Sequence, residues 1–301
     1  MVLAGLVALI GAGVLLLRSG WFIAGRIEQA LTRQFGGPVE VARASYEGEG
    51  RFVVAGVRLR APGIAGEAGV IAEIDEAMIR MDEDALSRLS VMPLEVAVTA
   101  MRLRVAEDAE EPGRFAFAAL RPDWAADAQG AAPDIRIDAL TVEVGAFRDA
   151  SFEPRTRRAF SARMQRAPGR DGEAGWHDVR LEELEPPPGV DASALIALSG
   201  RLNARTLENE FGLPVLEIRP DTIALVPTAA RVVLEQMSLG GTVRDVSAGW
   251  SPRGFHFAFE PERLSFVVPV EAGIEWTRYA EGRIEAAGTR PRLRVDGGQV
   301  R

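Results

Sequence analysis

From Val39 onward apolar residues recur at every second position, and that period suits β-strands with one buried face better than any helix. Val39 and Val41 are followed by Phe52, Val54, Val57 and Leu59, with arginine, glutamate and small residues between them. The same alternation marks residues 71–81, 94–105, 135–144, 232–239, 264–270 and 293–295. Parallel sheets buried on both faces read as solid apolar runs, so the pattern predicts an antiparallel sheet with one polar face. Helical spacing is scarce in this body. Residues 84–89, with acidic Asp84 at the start, and residues 193–198 are the two short candidates.

One figure repeats inside the alternation. Phe52-x-Val54-x-x-Val57-x-Leu59 returns at Val96-x-Val98-x-x-Met101-x-Leu103 and at Ile135-x-Ile137-x-x-Leu140-x-Val142. A fourth match is Val232-x-Leu234-x-x-Met237-x-Leu239. The double skip reverses parity, so a strand that carries it must bulge once to keep its apolar set on one face. Bulged strands bend and twist more, and four matches predict a weak β-repeat in a long, strongly curved sheet. Roughly fifteen strands at about 4.8 Å spacing would make it about 70 Å long.

Residues 1–17 hold no charged or polar side chain, and Arg18 ends the run. Trp21, Phe22 and Ile23 prolong its apolar character toward the roughly 20 residues that span a bilayer core. Arg18 can snorkel to the headgroups, and Trp21 suits the interfacial belt. A cleavable signal peptide would show a basic start and a small-x-small cleavage site, and neither is present. The run therefore predicts a transmembrane anchor helix bearing Leu3, Leu6, Leu9, Ile10, Val14, Leu15, Leu16, Leu17 and Trp21. Arg18, Arg26 and Arg33 all follow it, which by the positive-inside rule would keep the body in the cytoplasm. The long β-rich body favours export instead. Ile23, Ile27 and Leu31 then mark a helix over 21–35, stopped by Gly36-Gly37-Pro38.

The expected organisation is thus an anchor and its extension (1–35), a β region (36–184) and a further β region (192–301). The stiff segment 185–191 (EPPPGVD) joins the last two. Two aperiodic loops, 107–114 and 122–133, interrupt the first region. The Arg155–Arg158 cluster reads as a solvated strand end, and Glu182, Glu183 and Glu185 as a solvated edge.

Chemistry is sparse. A net charge of −8 leaves no basic footprint for nucleic acid, and all 35 basic residues are arginine. Cysteine is absent, and the only histidines, His177 and His256, sit in expected strands far apart in sequence. No set of metal ligands, phosphate-binding glycine loop or nucleophile elbow is found. The sequence therefore predicts neither an enzyme nor a protein with a cofactor or metal. Trp124, Trp176, Trp250 and Trp276 are the single hint of carbohydrate binding, and tryptophan in a strand more often serves the core.

The order of elements over the first 120 residues resembles the N-terminus of the AsmA-like family, which includes the TamB proteins and is similar to chorein-type bridge lipid-transfer proteins. The resemblance is carried by Ile27-x-x-x-Leu31-x-x-x-Phe35-Gly36-Gly37-x-Val39-x-Val41, by residues 52–62 (FVVAGVRLRAP) and by Ala72-x-Ile74. Met81-Asp82, Leu86-Ser87-x-Leu89, Pro93-Leu94-x-Val96, Leu103-x-Val105 and Gly113-Arg114-Phe115-Ala116-Phe117-x-x-Leu120 complete it. It implies an inner-membrane protein with its body in the periplasm and a groove-like, taco-shaped sheet that holds phospholipid acyl chains. The implied role is phospholipid transport or outer-membrane assembly, with membrane lipids and other envelope proteins as partners. Expected groove-lining residues are Val54, Val57, Leu59, Val96, Val98, Leu103, Ile137, Leu140 and Val142. A closed β-sandwich that binds another envelope protein is the alternative.

Overall fold

The computed structural model describes residues 20–81, 93–121, 133–167, 175–186, 195–203, 206, 208–251, 254–269, 279–285 and 293–297. Helix α1 (Gly20–Phe35) opens this part, as its periodicity predicts. Ala24, Ile27, Leu31 and Phe35 fall on one stripe and pack on the start of the sheet. Gly36 ends the helix at φ +64°, its N–H returning to the Thr32 carbonyl at 2.9 Å. No other residue fits there, since a Cβ would lie 1.9 Å from the Arg121 carbonyl oxygen.

Thirteen strands follow among the described residues: β1 (Val39–Gly48), β2 (Arg51–Arg60), β3 (Val70–Met81), β4 (Pro93–Asp108), β5 (Asp134–Arg148), β6 (Ser151–Arg166) and β7 (Trp176–Glu183). Then come β8 (Ala197–Asn203), β9 (Asn209–Ile218), β10 (Gly240–Ser251), β11 (Gly254–Pro269), β12 (Tyr279–Glu285) and β13 (Leu293–Gly297). They form one sheet in sequence order from β1 to β12, with β13 also paired to β11. β1 and β12 are the two ends of that path, so the sheet is not closed. Twelve strands in line at about 4.8 Å spacing span about 50 Å, less than the sequence suggested. β7 and β8, on either side of the proline-rich connector, pair antiparallel with each other.

Four expectations about the fold need correction. No described helix is long and apolar enough to cross a membrane: α1 has 16 residues and carries Arg26, Glu28 and Arg33. Trp21 belongs to α1, while the other proposed anchor residues, Leu3 to Leu17, lie outside the described residues. The sheet is also not wholly antiparallel, because β4 and β5 run parallel over Glu95–Asp108. Parallel neighbours need a crossover of a dozen or more residues, and the two aperiodic loops together with 115–121 supply it. Alternation alone cannot register this, since a half-buried strand reads the same in either direction. The third error concerns Val232–Leu239. It is no strand but mostly α3 (Thr228–Gln236), which follows the single-turn α2 (Pro220–Ile223) between β9 and β10. The helix expected over 193–198 is not found among its described residues, where Ala197 and Leu198 belong to β8, and residues 193 and 194 lie outside them. Residues 84–89 lie outside the described residues.

The double skip does what parity demands, but collectively. In β2 the pair Ala55-Gly56 is stepped over, and Gly56 takes φ +63°. Ala42-Arg43 in β1, Asp75-Glu76 in β3, Thr99-Ala100 in β4 and Asp138-Ala139 in β5 lie at the same level. Arg43, Ala55, Glu76, Ala100 and Ala139 are successive register partners across the five strands. Each extra residue is matched by its neighbour's, and the mismatch is absorbed between β5 and β6, where Ile137 pairs with Ala162 and Leu140 with Phe160. β9 and β10 repeat the device: Leu213 faces Val246, Leu216 faces Val243, and Asp245 adopts φ +47°.

Candidate functional site

Register carries single rows of apolar side chains across the strands, all on one face. One row is Val41–Val57–Ile74–Met101–Leu140–Phe160. The next is Ala44–Val54–Ala77–Val98–Ile137–Ala162–Leu181–Leu198. A third begins Phe52–Ile79–Val96–Ile135–Met164–Val179 and continues through Gly200 to Phe211, Ala248 and Phe257. The opposite face is charged, with Glu73 bridging Arg58 at 2.9 Å and Arg102 at 2.8 Å. Arg104 extends the ladder to Glu67 at 2.7 Å and Glu143 at 3.2 Å, and Arg157 also binds Glu143. Burial pushes the Glu143 carboxyl up, but the Arg157 and Arg104 guanidiniums outweigh it and hold it below the usual glutamate value.

What covers the apolar face changes along the sheet. Over β1–β3 it is α1, whose Ala24, Ile27 and Leu31 enclose Val39, Ala44, Val54 and Val57. At the end of β2–β5 that holds Leu59 and Leu103, a second small core forms around Ala61, Ala68, Ala106, Ala116 and Phe147. The start of β5, the end of β6 and the facing parts of β7 and β8 join none of the described apolar cores. Ile135, Ile137, Met164, Val179, Leu181 and Leu198 are only half-buried there. The sequence-derived lining therefore divides. Val54 and Val57 lie beneath α1, Leu59 and Leu103 join local cores, and Val98 and Leu140 are buried. Val96, Ile137 and Val142 stay half-open. Ala162, Met164, Val179, Leu181 and Leu198 were missed, because β6–β8 carry the alternation without the repeated figure.

Polar contacts tie the α2–α3 segment back to the sheet. Arg155 donates to the Ala224 and Val226 carbonyls at 3.1 and 3.2 Å. Arg158 lies 2.6 Å from Glu183 and 3.0 Å from Asp221, and both Arg158 and Glu183 are buried. Glu182 and Glu185 are exposed, whereas Arg155, Arg158 and Glu183 are thus structural ties rather than parts of a solvated strand end and edge. Their partners lie more than sixty positions away in sequence for Arg155 and for the Arg158–Asp221 contact, beyond the reach of local pattern.

Glu107 completes the tie, accepting from the Thr228 N–H at 2.8 Å and the Thr228 hydroxyl at 2.5 Å, and from the Gly113 N–H at 2.8 Å. A carboxylate at the start of α3 also suits the helix dipole. Burial pushes the Glu107 carboxyl up, but the Thr228 and Gly113 donors and the Arg155 charge more than offset it, leaving it below its ordinary value of 4.5. A lowered folded value means the stabilisation is complete above about pH 4.5 and is lost as pH falls through the folded value. Glu107→Gln is expected to cost about 1–3 kcal/mol at pH 7. It should also flatten the acid limb of stability, read from urea midpoints between pH 7 and 3.

The histidines stay apart. His177 is fully buried with Nδ1 3.0 Å from the Gly175 carbonyl, and His256 packs across β10 against Gly249. Trp176 and Trp250 are half-buried in β7 and β10, and Trp124 and Trp276 lie outside the described residues. Among the described residues, no group of three or more histidines and carboxylates is placed to hold a metal ion. Comparison with protein-family models, with curated proteins and with solved structures finds no match. The likeness to the AsmA-like family therefore stands on the residues quoted above alone.

Proposed function

We propose that the apolar face of β5–β8 holds lipid acyl chains, as a contribution to phospholipid transport or outer-membrane assembly. The supporting observation is the half-buried set Ile135, Ile137, Met164, Val179, Leu181 and Leu198, none of which joins a described apolar core. A sheet face of this kind must be covered by something apolar. Each CH₂ taken from water contributes about 0.8 kcal/mol, so an acyl chain is retained by area and needs no single dedicated residue. Partner lipids would be recognised by their tails at this face.

The test is organic extraction of the purified, detergent-free chain followed by mass spectrometry of the extract. Bound phospholipid or fatty acid is expected, and Leu181→Asp should remove most of it while leaving the fold intact. A lipid-free chain, or one carrying a stoichiometric protein in place of lipid, would refute the proposal.

A further inference from the structure

The charged face follows a rule of alternation. Glu40 on β1, Arg58 on β2, Glu73 on β3 and Arg102 on β4 are successive register partners of opposite sign, and Glu143 on β5 faces Arg157 on β6. The rule fails further along the same strands. Arg136 on β5 faces Arg163 on β6, which faces Arg180 on β7. Like charges directly opposite one another on adjacent strands are destabilising. Arg51 and Arg80 also face each other, but each has its own carboxylate, Glu49 at 2.8 Å and Glu95 at 3.2 Å.

In the row of three the compensation is incomplete. Arg136 pairs with Asp138 at 3.0 Å and Arg180 with Glu182 at 3.8 Å, each along its own strand. Arg163, between them, forms no ion pair with any described residue, and all three side chains are exposed. The three arginines, Ser161 and the two carboxylates line a hollow of about 190 Å³. Each guanidinium has five N–H donors, so Arg136 and Arg180 keep donors to spare after their pairing. An anion there would relieve the repulsion, and a phosphate group matches forked guanidinium donors.

We propose that Arg136, Arg163 and Arg180, with the Ser161 hydroxyl, form a binding site for a phosphate group on the polar face of the sheet. The site is on the opposite face from the acyl-chain surface and does not depend on it. Its phosphate comes either from a free phosphate ester or from the headgroups of an anionic lipid surface.

The experiment titrates the full chain with inorganic phosphate by calorimetry, using chloride at matched ionic strength as the control. In parallel, the chain is sedimented with phosphatidylcholine vesicles with and without phosphatidic acid. Saturable binding is expected in at least one arm. Arg163→Gln should weaken it about tenfold, as loss of a charge-assisted contact does. The Arg163→Gln variant should also unfold at no lower urea concentration in phosphate-free buffer, because the repulsion is gone. Binding by free phosphate identifies a soluble ester as a sufficient source, and binding only to phosphatidic acid vesicles identifies the headgroup. Absence of binding in both arms overturns the site. So does equal weakening by Arg43→Gln, an exposed arginine elsewhere on the sheet.

Discussion

Val54→Asp is expected to be among the most damaging single changes in this chain, costing about 4–7 kcal/mol. Val54 is 1 % exposed and enclosed by α1, Val57 and Ala44. A carboxyl placed there would have to stay neutral, a shift of about three to five pKa units at 1.36 kcal/mol each. The same change at Leu181, on the half-open stretch, should cost only about 1–2 kcal/mol, because a solvent-facing carboxylate keeps its hydration. Urea denaturation of the two variants separates the covered part of the face from the open part. Equal losses would mean that β7 is as enclosed as β2, and that the acyl-chain proposal lacks its surface.

Arg158→Ala should destabilise the chain by about 3–5 kcal/mol, by leaving the buried Glu183 carboxylate without its counter-charge. The Asp221 contact is lost with it, so α2 and α3 should become accessible to protease before the sheet does. Replacing both partners, as Arg158→Met with Glu183→Leu, should restore most of the stability, since paired apolar side chains need no desolvation. Limited proteolysis and urea midpoints of the single and double variants test both statements. A double variant as unstable as Arg158→Ala would show that the ion pair itself supports the fold.

Much of the first half of the sheet was legible because parity is a local property. Phe52, Val54, Val57 and Leu59 announce a step over two residues, and the rows require that step in β2, β4 and β5. The figure could not reveal that β1 and β3 share it, because Ala44, Ala72 and Ala77 are weak apolar markers. It also misread Val232–Leu239, where Pro227 before Thr228 and the Arg231–Glu235 pair at i, i+4 were the helical signals that spacing alone overlooked. Strand direction was invisible for β4 and β5. The candidate site was legible only in part, since the lining residues were taken from the strands with the clearest figure. Of that set Val54 and Val57 lie under α1 and Leu59 and Leu103 in the local cores, whereas the start of β5 and the plainer alternation over β6–β8 supply the open surface.

The shared step has a consequence for how such a sheet grows. Because neighbouring strands shift parity at one common level, a duplicated strand with the same two-residue offset would seat on a free margin already aligned. Lengthening by tandem copying would then widen the greasy wall without disturbing what is already built. A lone insertion inside one strand, by contrast, would put that strand out of phase with both neighbours.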